Sequence, residues 1–102
     1  MRCLVSLVLV VAATSASAQS QSPMRRGRAV VQEFCSPCHA VGKSRRSPHV
    51  GAPPFRTFSR SFDLDQFAQH LERGISSNHP DMPEFKFSEQ DARDVSAYLR
   101  SI

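Results

Sequence analysis

The stretch 35-CSPCH-39 decides how the rest of the chain is interpreted. Two thiols stand three positions apart and an imidazole follows directly, so one bound group can reach all three side chains. Three chemistries use a spacing of this kind: covalent attachment of a haem, coordination of a metal ion, and a disulfide. The sequence around the motif discriminates among them.

The alternatives to haem find little support elsewhere in the chain. Structural zinc needs four ligands, usually in two pairs, and no second cysteine pair follows Cys38. A thioredoxin-like redox pair needs a βαβ context that the sequence lacks, although a plain disulfide stays open in an exported protein. Haem attachment needs only what is present, because Cys35 and Cys38 can form thioethers with the two vinyl groups while His39 binds the iron. We therefore expect one covalent haem c.

The first 18 residues have the layout of a secretory signal peptide. Arg2 precedes an apolar run over residues 4–13, and Ala16-Ser17-Ala18 supplies an A-x-A cleavage site. The run is shorter than the about 20 residues that span a bilayer. We predict cleavage after Ala18, a mature domain over residues 19–102, a periplasmic location and no stable membrane insertion. An uncleaved membrane anchor is the alternative.

The charge of the chain restricts its partners. The formal net charge is +4, and removal of Arg2 lowers it by one. Because the basic residues are spread along the chain without a long run of one sign, they favour an acidic protein surface over nucleic acid. Lys43, Arg45, Arg46 and Lys86 flank the candidate site and either contact such a partner or form a merely solvated basic surface. The protein is expected to be a monomer.

Apolar periodicity predicts three helices joined by long loops. The predicted helices run over Met24–Cys35, from Ser61 or Asp63 to a stop at Gly74, and over Ser88–Ile102. Ser88 and Asp91 form a capping-box arrangement at the start of the last helix. Residues 40–61 are rich in Gly, Pro and Arg, and we predict one long loop there. No strand pattern is visible, so the expected fold class is all-α.

A second candidate ligand for the iron lies in the loop before the last helix. Met82 is stiffened by Pro80 and Pro83, and such a loop can present a thioether to the distal face of a haem. A thioether favours iron(II) and raises the reduction potential, which is typical of an electron carrier. Met24, before the first helix, is poorly placed for this role. His79 is the rival ligand.

CSPCH, the stretch MPEF at residues 82–85 and a last helix that ends in AYL at residues 97–99 resemble a class I monohaem cytochrome c. The resemblance covers the chain from about Gly27 to the end. It implies the cytochrome c fold, with the first and last helices crossing at Gly27 and long loops wrapping the haem. It also implies that Tyr98 packs at the crossing, opposite Val31.

The resemblance implies two further contacts of the haem site. The carbonyl group of Pro53, or alternatively of Pro54, accepts a hydrogen bond from His39, and Phe55 packs beside the haem. No Trp is present to bind a haem propionate, and a surface arginine, Arg56 or Arg60, is the candidate substitute.

The expected function is that of an exported one-electron carrier between redox proteins, without catalysis of its own. His39 and Met82 are the predicted iron ligands. A ligand-binding or weakly catalytic haem protein, such as a gas sensor, would need an open iron site, and Met82 argues against one. A haem subunit of a larger oxidoreductase is the other alternative, and the sequence does not separate it from a free carrier.

Overall fold

The computed structural model describes residues 20–102, and the predicted signal peptide over residues 1–18 lies outside this range. Four helices follow one another: α1 (Pro23–Phe34), α2 (Phe58–Ser61), α3 (Leu64–Arg73) and α4 (Glu89–Arg100). A 3₁₀ turn at Phe55–Thr57 leads into α2. Within residues 20–102 the only extended pairing is an isolated antiparallel bridge between Ile75 and Phe85. The all-α prediction is confirmed.

Side-chain caps set the starts of the three longer helices. The hydroxyl of Ser22 accepts from an amide in the first turn of α1, where Pro23 supplies a fixed φ. The Asp63 carboxylate accepts from two amides at the start of α3, so Asp63 rather than Ser61 is the cap. The hydroxyl of Ser88 accepts from the amide of Asp91 at 3.1 Å, as the capping-box pattern predicts.

The prediction of one long loop over residues 40–61 is wrong at its C-terminal end. Residues 55–61 form the 3₁₀ turn and α2. Phe55 and Phe58 are buried here, and their rings lie 4.6 Å apart between centroids. Burial of two aromatic side chains stabilises a short helical segment that local propensity alone does not.

The core lies where α1 and α3 pack on α4. It consists of Val31, Phe55, Phe58, Leu64, Leu71, Ala92, Val95, Tyr98 and Leu99. The hydroxyl of Tyr98 donates to the carbonyl oxygen of Val41, which ties the loop after the CSPCH motif to α4. Among the described residues, no helix has the length and apolar character needed to cross a membrane.

Helices α1 and α4 cross in direct backbone contact at Gly27. A Cβ atom built on Gly27 would lie 1.9 Å from the carbonyl oxygen of Asp94 and 2.8 Å from the amide nitrogen of Val95. The crossing lies at Gly27, as the resemblance implies, and the residue of α4 nearest to Gly27 is Asp94. Only glycine permits this approach without displacing a helix.

A part-buried ion pair beside the crossing has no counterpart in the sequence predictions. Asp94 is 1% exposed, and its carboxylate accepts from Arg26 Nε at 2.8 Å and Nη2 at 3.2 Å. Gln90 donates to the same carboxylate at 2.8 Å. The hydrogen bonds from the Arg26 guanidinium hold the pKa of Asp94 below its usual value.

Candidate functional site

All six residues that the sequence analysis assigned to the site line one cavity of about 680 Å³. They are Cys35, Cys38, His39, Pro53, Phe55 and Met82. The volume falls within the roughly 300–1,000 Å³ of typical small-molecule and cofactor sites. The cavity is bounded by the end of α1, the loop that follows it, α2, α3 and the loop that carries Met82.

Aromatic side chains form two walls of the cavity. On one side the ring of His39 lies 4.8 Å from that of Phe55, between centroids, and Phe58 packs behind them. On another side Phe34 contacts Phe87 edge to face at 5.4 Å. A flat apolar group would be enclosed by such walls, and water would be largely excluded from it.

His39 is oriented by backbone groups of two segments. Its amide donates to the carbonyl oxygen of Cys35 at 2.9 Å, so the CSPCH motif forms one tight turn. Its ring Nδ1 lies 2.7 Å from the carbonyl oxygen of Pro53. A carbonyl oxygen can only accept, so Nδ1 carries the ring proton and Nε2 keeps a lone pair. The ring is therefore prepared to bind a metal through Nε2.

The alternative acceptor, Pro54, is used elsewhere. Its carbonyl oxygen accepts from the amide of Thr57 at 3.1 Å and from the hydroxyl of the same residue at 2.8 Å. Those two bonds start the 3₁₀ turn that leads to Phe58. The two adjacent prolines therefore have different roles: the carbonyl oxygen of Pro53 orients His39, and that of Pro54 stabilises the 3₁₀ turn.

The two cysteines stand at the junction of α1 and the turn. The amide of Cys35 donates to Val31 at the end of the helix, and the amide of Cys38 donates to the carbonyl oxygen of Cys35 at 3.2 Å. Both thiols are half-buried and neither forms a disulfide. Burial raises the pKa of Cys35 to about 11. Its sulfur is therefore a thiol at neutral pH, which disfavours thiolate-dependent disulfide formation.

Met82 lies in a loop that is closed at its base by the Ile75–Phe85 bridge. The two residues exchange backbone hydrogen bonds of 2.7 and 3.2 Å. At the tip, the amide of Met82 donates to the carbonyl oxygen of His79 at 3.2 Å, and the Met82 side chain is half-buried in the cavity lining. The loop is thus held at two points, and Met82 lines the cavity between them.

Several polar residues of the cavity lining were not predicted as part of the site. They include His49, Gln66, His70, Ser77 and Asp81, together with the rival ligand His79. Arg56 and Arg60, the candidate propionate partners, do not line the cavity, and Arg56 donates instead to the carbonyl oxygen of Arg45 at 2.7 Å. His49 could have been predicted as a residue of the site, because it lies only ten residues after His39.

The basic residues expected at a docking surface are exposed but stand outside the cavity lining. Lys43, Arg45 and Arg46 follow the CSPCH turn, and Lys86 follows the Met82 loop. The fully exposed Val50 lies between two residues of the lining, His49 and Gly51.

Comparison with known proteins gives two findings. Residues 22–99 match the family model described as cytochrome C oxidase, cbb3-type, subunit III. A relative, cytochrome c-552 of Bradyrhizobium diazoefficiens, is 30% identical over 98 residues, which cover 96% of this chain and 91% of that protein. No solved structure gives a significant match.

Proposed function

Because the chain belongs to the family of small c-type cytochromes, we propose that it is an exported one-electron carrier with a single covalent haem c. Members of this family transfer electrons and do not transform a substrate. In the proposal, Cys35 and Cys38 would hold the haem through thioethers, and His39 and Met82 would be the two protein ligands of its iron.

The observation that carries the proposal is the common cavity of these four side chains. The donor set fits the group: two thiols in one turn, an imidazole with a bare Nε2, and a thioether in a separate loop. A bound haem would supply an iron that exchanges one electron between its ferrous and ferric states. The fit supports a site for haem c, whereas these four side chains alone lack the fourth thiolate or imidazole of a structural zinc site.

Residues of the chain would tune the reduction potential of the haem iron. The hydrogen bond from His39 Nδ1 to Pro53 fixes the ring plane and makes Nε2 more basic. The soft thioether of Met82 favours iron(II) and so raises the reduction potential. The aromatic side chains around Phe55 would lower the local dielectric constant beside a bound haem.

We also propose that residues 1–18 are a cleaved signal peptide and that the mature protein, residues 19–102, works in the periplasm. Attachment of haem to two reduced thiols fits an exported protein of this family. Its partners would be redox proteins that meet it through a transient, charge-steered surface. N-terminal sequencing of the exported protein tests the cleavage, and a start other than Gln19 would contradict it.

The attachment is tested by mass spectrometry of the denatured exported protein. We expect the mass of the chain plus one haem, and the haem should survive acid acetone extraction. Cys35→Ala and Cys38→Ala should each leave a single thioether, and the double variant should lose its haem on extraction. A wild-type haem that acid acetone removes would contradict covalent attachment.

The axial ligation is tested by Met82→Ala, with Met24→Ala as the matched control. Met24 is an exposed methionine on α1 outside the cavity lining. If Met82 binds the iron, the ferric wild type has a long-wavelength sulfur-to-iron charge-transfer band, which the Met82 variant loses and the Met24 variant keeps. The Met82 variant should also have a lower potential and bind carbon monoxide quickly when ferrous.

The opposite result in these spectra would favour the ligand-binding alternative. A wild type that lacks the band and already binds carbon monoxide quickly would have no stable methionine ligand. His79 complicates the variant: if its ring turned away from the amide of Asp81 and replaced the missing thioether, it would give a low-spin bis-histidine spectrum. The double variant Met82→Ala, His79→Ala separates this replacement from an open site.

A second candidate function, an electron-transfer subunit of a larger oxidoreductase, is favoured by the description of the matching family. The mature chain would then co-elute with other proteins when the native periplasm or membrane fraction is separated by size under mild conditions. Elution at the size of a monomer would favour the free carrier.

A further inference from the structure

Two loops meet at the rim of the cavity through side chains that the proposed function does not use. His49 lies in the loop after the CSPCH turn, and His79 and Asp81 lie in the loop that carries Met82. His49 Nε2 is 3.2 Å from Asp81 Oδ2. The rings of His49 and His79 meet edge to face, with centroids 5.1 Å apart.

Backbone contacts determine where the ring proton of His49 lies. The amide of Gly51 donates to His49 Nδ1 at 3.2 Å. A nitrogen that accepts an amide proton carries none of its own, so the neutral ring has its proton on Nε2. Nε2–H is then the donor in the contact with Asp81, whose ionised carboxylate is an acceptor only. His39 is the reverse case, since its Nδ1 donates and its Nε2 is bare.

The same argument disfavours a divalent metal site at this cluster. Ligand atoms of His49, His79 and Asp81 lie within 4.8 Å of one another, as they would around a divalent cation. The Nδ1 of His79 also accepts an amide proton, from Asp81 at 3.3 Å. Both rings therefore carry protons on Nε2, where a metal would need a lone pair. The arrangement fits a hydrogen bond between loops better than a metal site.

His49 is itself fixed to the segment that orients His39. Its amide donates to the carbonyl oxygen of Cys38 at 3.1 Å, and its own carbonyl oxygen accepts from Ala52 at 3.1 Å. Ala52 precedes Pro53, whose carbonyl oxygen accepts from His39. The contact between His49 and Asp81 thus links the segment around His39 to the neighbour of Met82.

We propose that His49 is a positioning residue for Met82, and that its hydrogen bond to Asp81 keeps the methionine loop closed against the CSPCH segment. This inference rests on the proposed function, because it assigns His49 a role in keeping Met82 on the iron. The bond lies at the rim, where the His49 side chain is partly exposed and the Asp81 side chain is largely exposed. Its effect should therefore be on the rate at which the loop opens and not on whether the protein folds.

The test uses the ferric holoprotein and added imidazole, which replaces Met82 only after the loop opens. At saturating imidazole, the loss of the long-wavelength band measures the opening rate. We expect His49→Ala to open two- to fivefold faster than the wild type, the change that a partly exposed hydrogen bond of this kind produces. Asp81→Ala should accelerate opening to a similar degree, and the double variant should open no faster than either single variant.

Two further variants separate positioning from general loosening. Gln at position 49 places an amide N–H close to the position of Nε2, so His49→Gln should restore a rate near that of the wild type. His70→Ala removes a histidine that lines the same cavity from α3, and its opening rate should not change.

The outcomes distinguish failure of this inference from failure of the proposed function. A wild type without the long-wavelength band would overturn ligation by Met82 and, with it, the positioning role of His49. A normal band with equal opening rates in wild type, His49→Ala and Asp81→Ala would overturn the positioning role of His49 alone. Stoichiometric zinc binding that is lost in His49→Ala would contradict the assigned ring protons and make the cluster a metal site.

Discussion

Replacing Gly27 by alanine should destabilise the protein, although alanine is the better helix former. The new Cβ would lie 1.9 Å from the carbonyl oxygen of Asp94, and real Cβ atoms essentially never come within 3.0 Å of a heavy atom outside their own residue and its chain neighbours. The obstructing atoms belong to the backbone of α4 and cannot rotate away. Helices α1 and α4 must therefore separate by at least about 1.1 Å.

That separation allows the cost to be estimated. A gap of about 0.5–1 Å removes roughly a quarter to a half of the dispersion energy across a contact, and the buried Val31 and Leu99 lie in the core beside this crossing. Overpacking typically costs about 1–3 kcal/mol, and a rigid backbone obstruction belongs at the upper end. Alanine recovers about 1 kcal/mol of helix propensity. A net loss of about 2 kcal/mol corresponds to a Tm lower by roughly 8–16 °C in a domain of this size.

The assay is thermal unfolding of the holoprotein followed by far-UV circular dichroism. Gly42→Ala is the matched control, because a Cβ at Gly42 would meet no atom within 4 Å. Its Tm should stay within about 4 °C of that of the wild type, as for surface substitutions in general. If Gly27→Ala has a Tm equal to or above that of the wild type, the two helices do not meet at Gly27 and the described crossing is wrong.

Two other predictions concern charge. Because Arg26 lowers the pKa of Asp94, the ion pair contributes stability above the ordinary carboxyl pKa of about 4 and loses it as the pH falls through the lower folded-state value. The Tm of the wild type should therefore fall more steeply on acidification below about pH 4 than that of Asp94→Asn, and equal slopes would contradict the pairing. Reversing Arg45 and Arg46 to Glu should slow reduction of the anion hexacyanoferrate(III) several-fold at low salt and little at high salt. Equal rates at every ionic strength would exclude this surface from docking.

Local signals in the sequence were sufficient for the longer helices. The caps at Asp63 and Ser88 and the stop at Gly74 are properties of a few adjacent residues, and the structure has each of them where the pattern indicates. Periodicity gave α1 and α4 to within one or two residues. The segment 55–61 was missed because its helical form depends on burial of Phe55 and Phe58, which a window of sequence rich in proline and arginine does not reveal.

Contacts between residues far apart in the sequence could not be predicted from such local signals. Arg26 and Asp94 are 68 positions apart, and they pair only because Gly27 lets their helices cross closely. His49 and Asp81 are 32 positions apart, and nothing in either loop alone indicates that they meet. The CSPCH motif and Met82 were predicted as site residues because their chemistry is distinctive, whereas the residues that join their loops are ordinary polar side chains.

The hydrogen-bond partners of the histidine rings nevertheless contain a local signal. His49 accepts from the amide two residues later, at Gly51, and His79 accepts from the amide two residues later, at Asp81. The ring of His39 instead finds an acceptor 14 positions away, at Pro53. A histidine whose Nδ1 closes a tight turn on a following amide keeps its proton on Nε2 and is poorly prepared to bind a metal. A histidine held through Nδ1 by a distant carbonyl oxygen has an Nε2 without a proton. In this chain, the direction of the hydrogen bond at Nδ1 therefore distinguishes the candidate ligand His39 from His49 and His79.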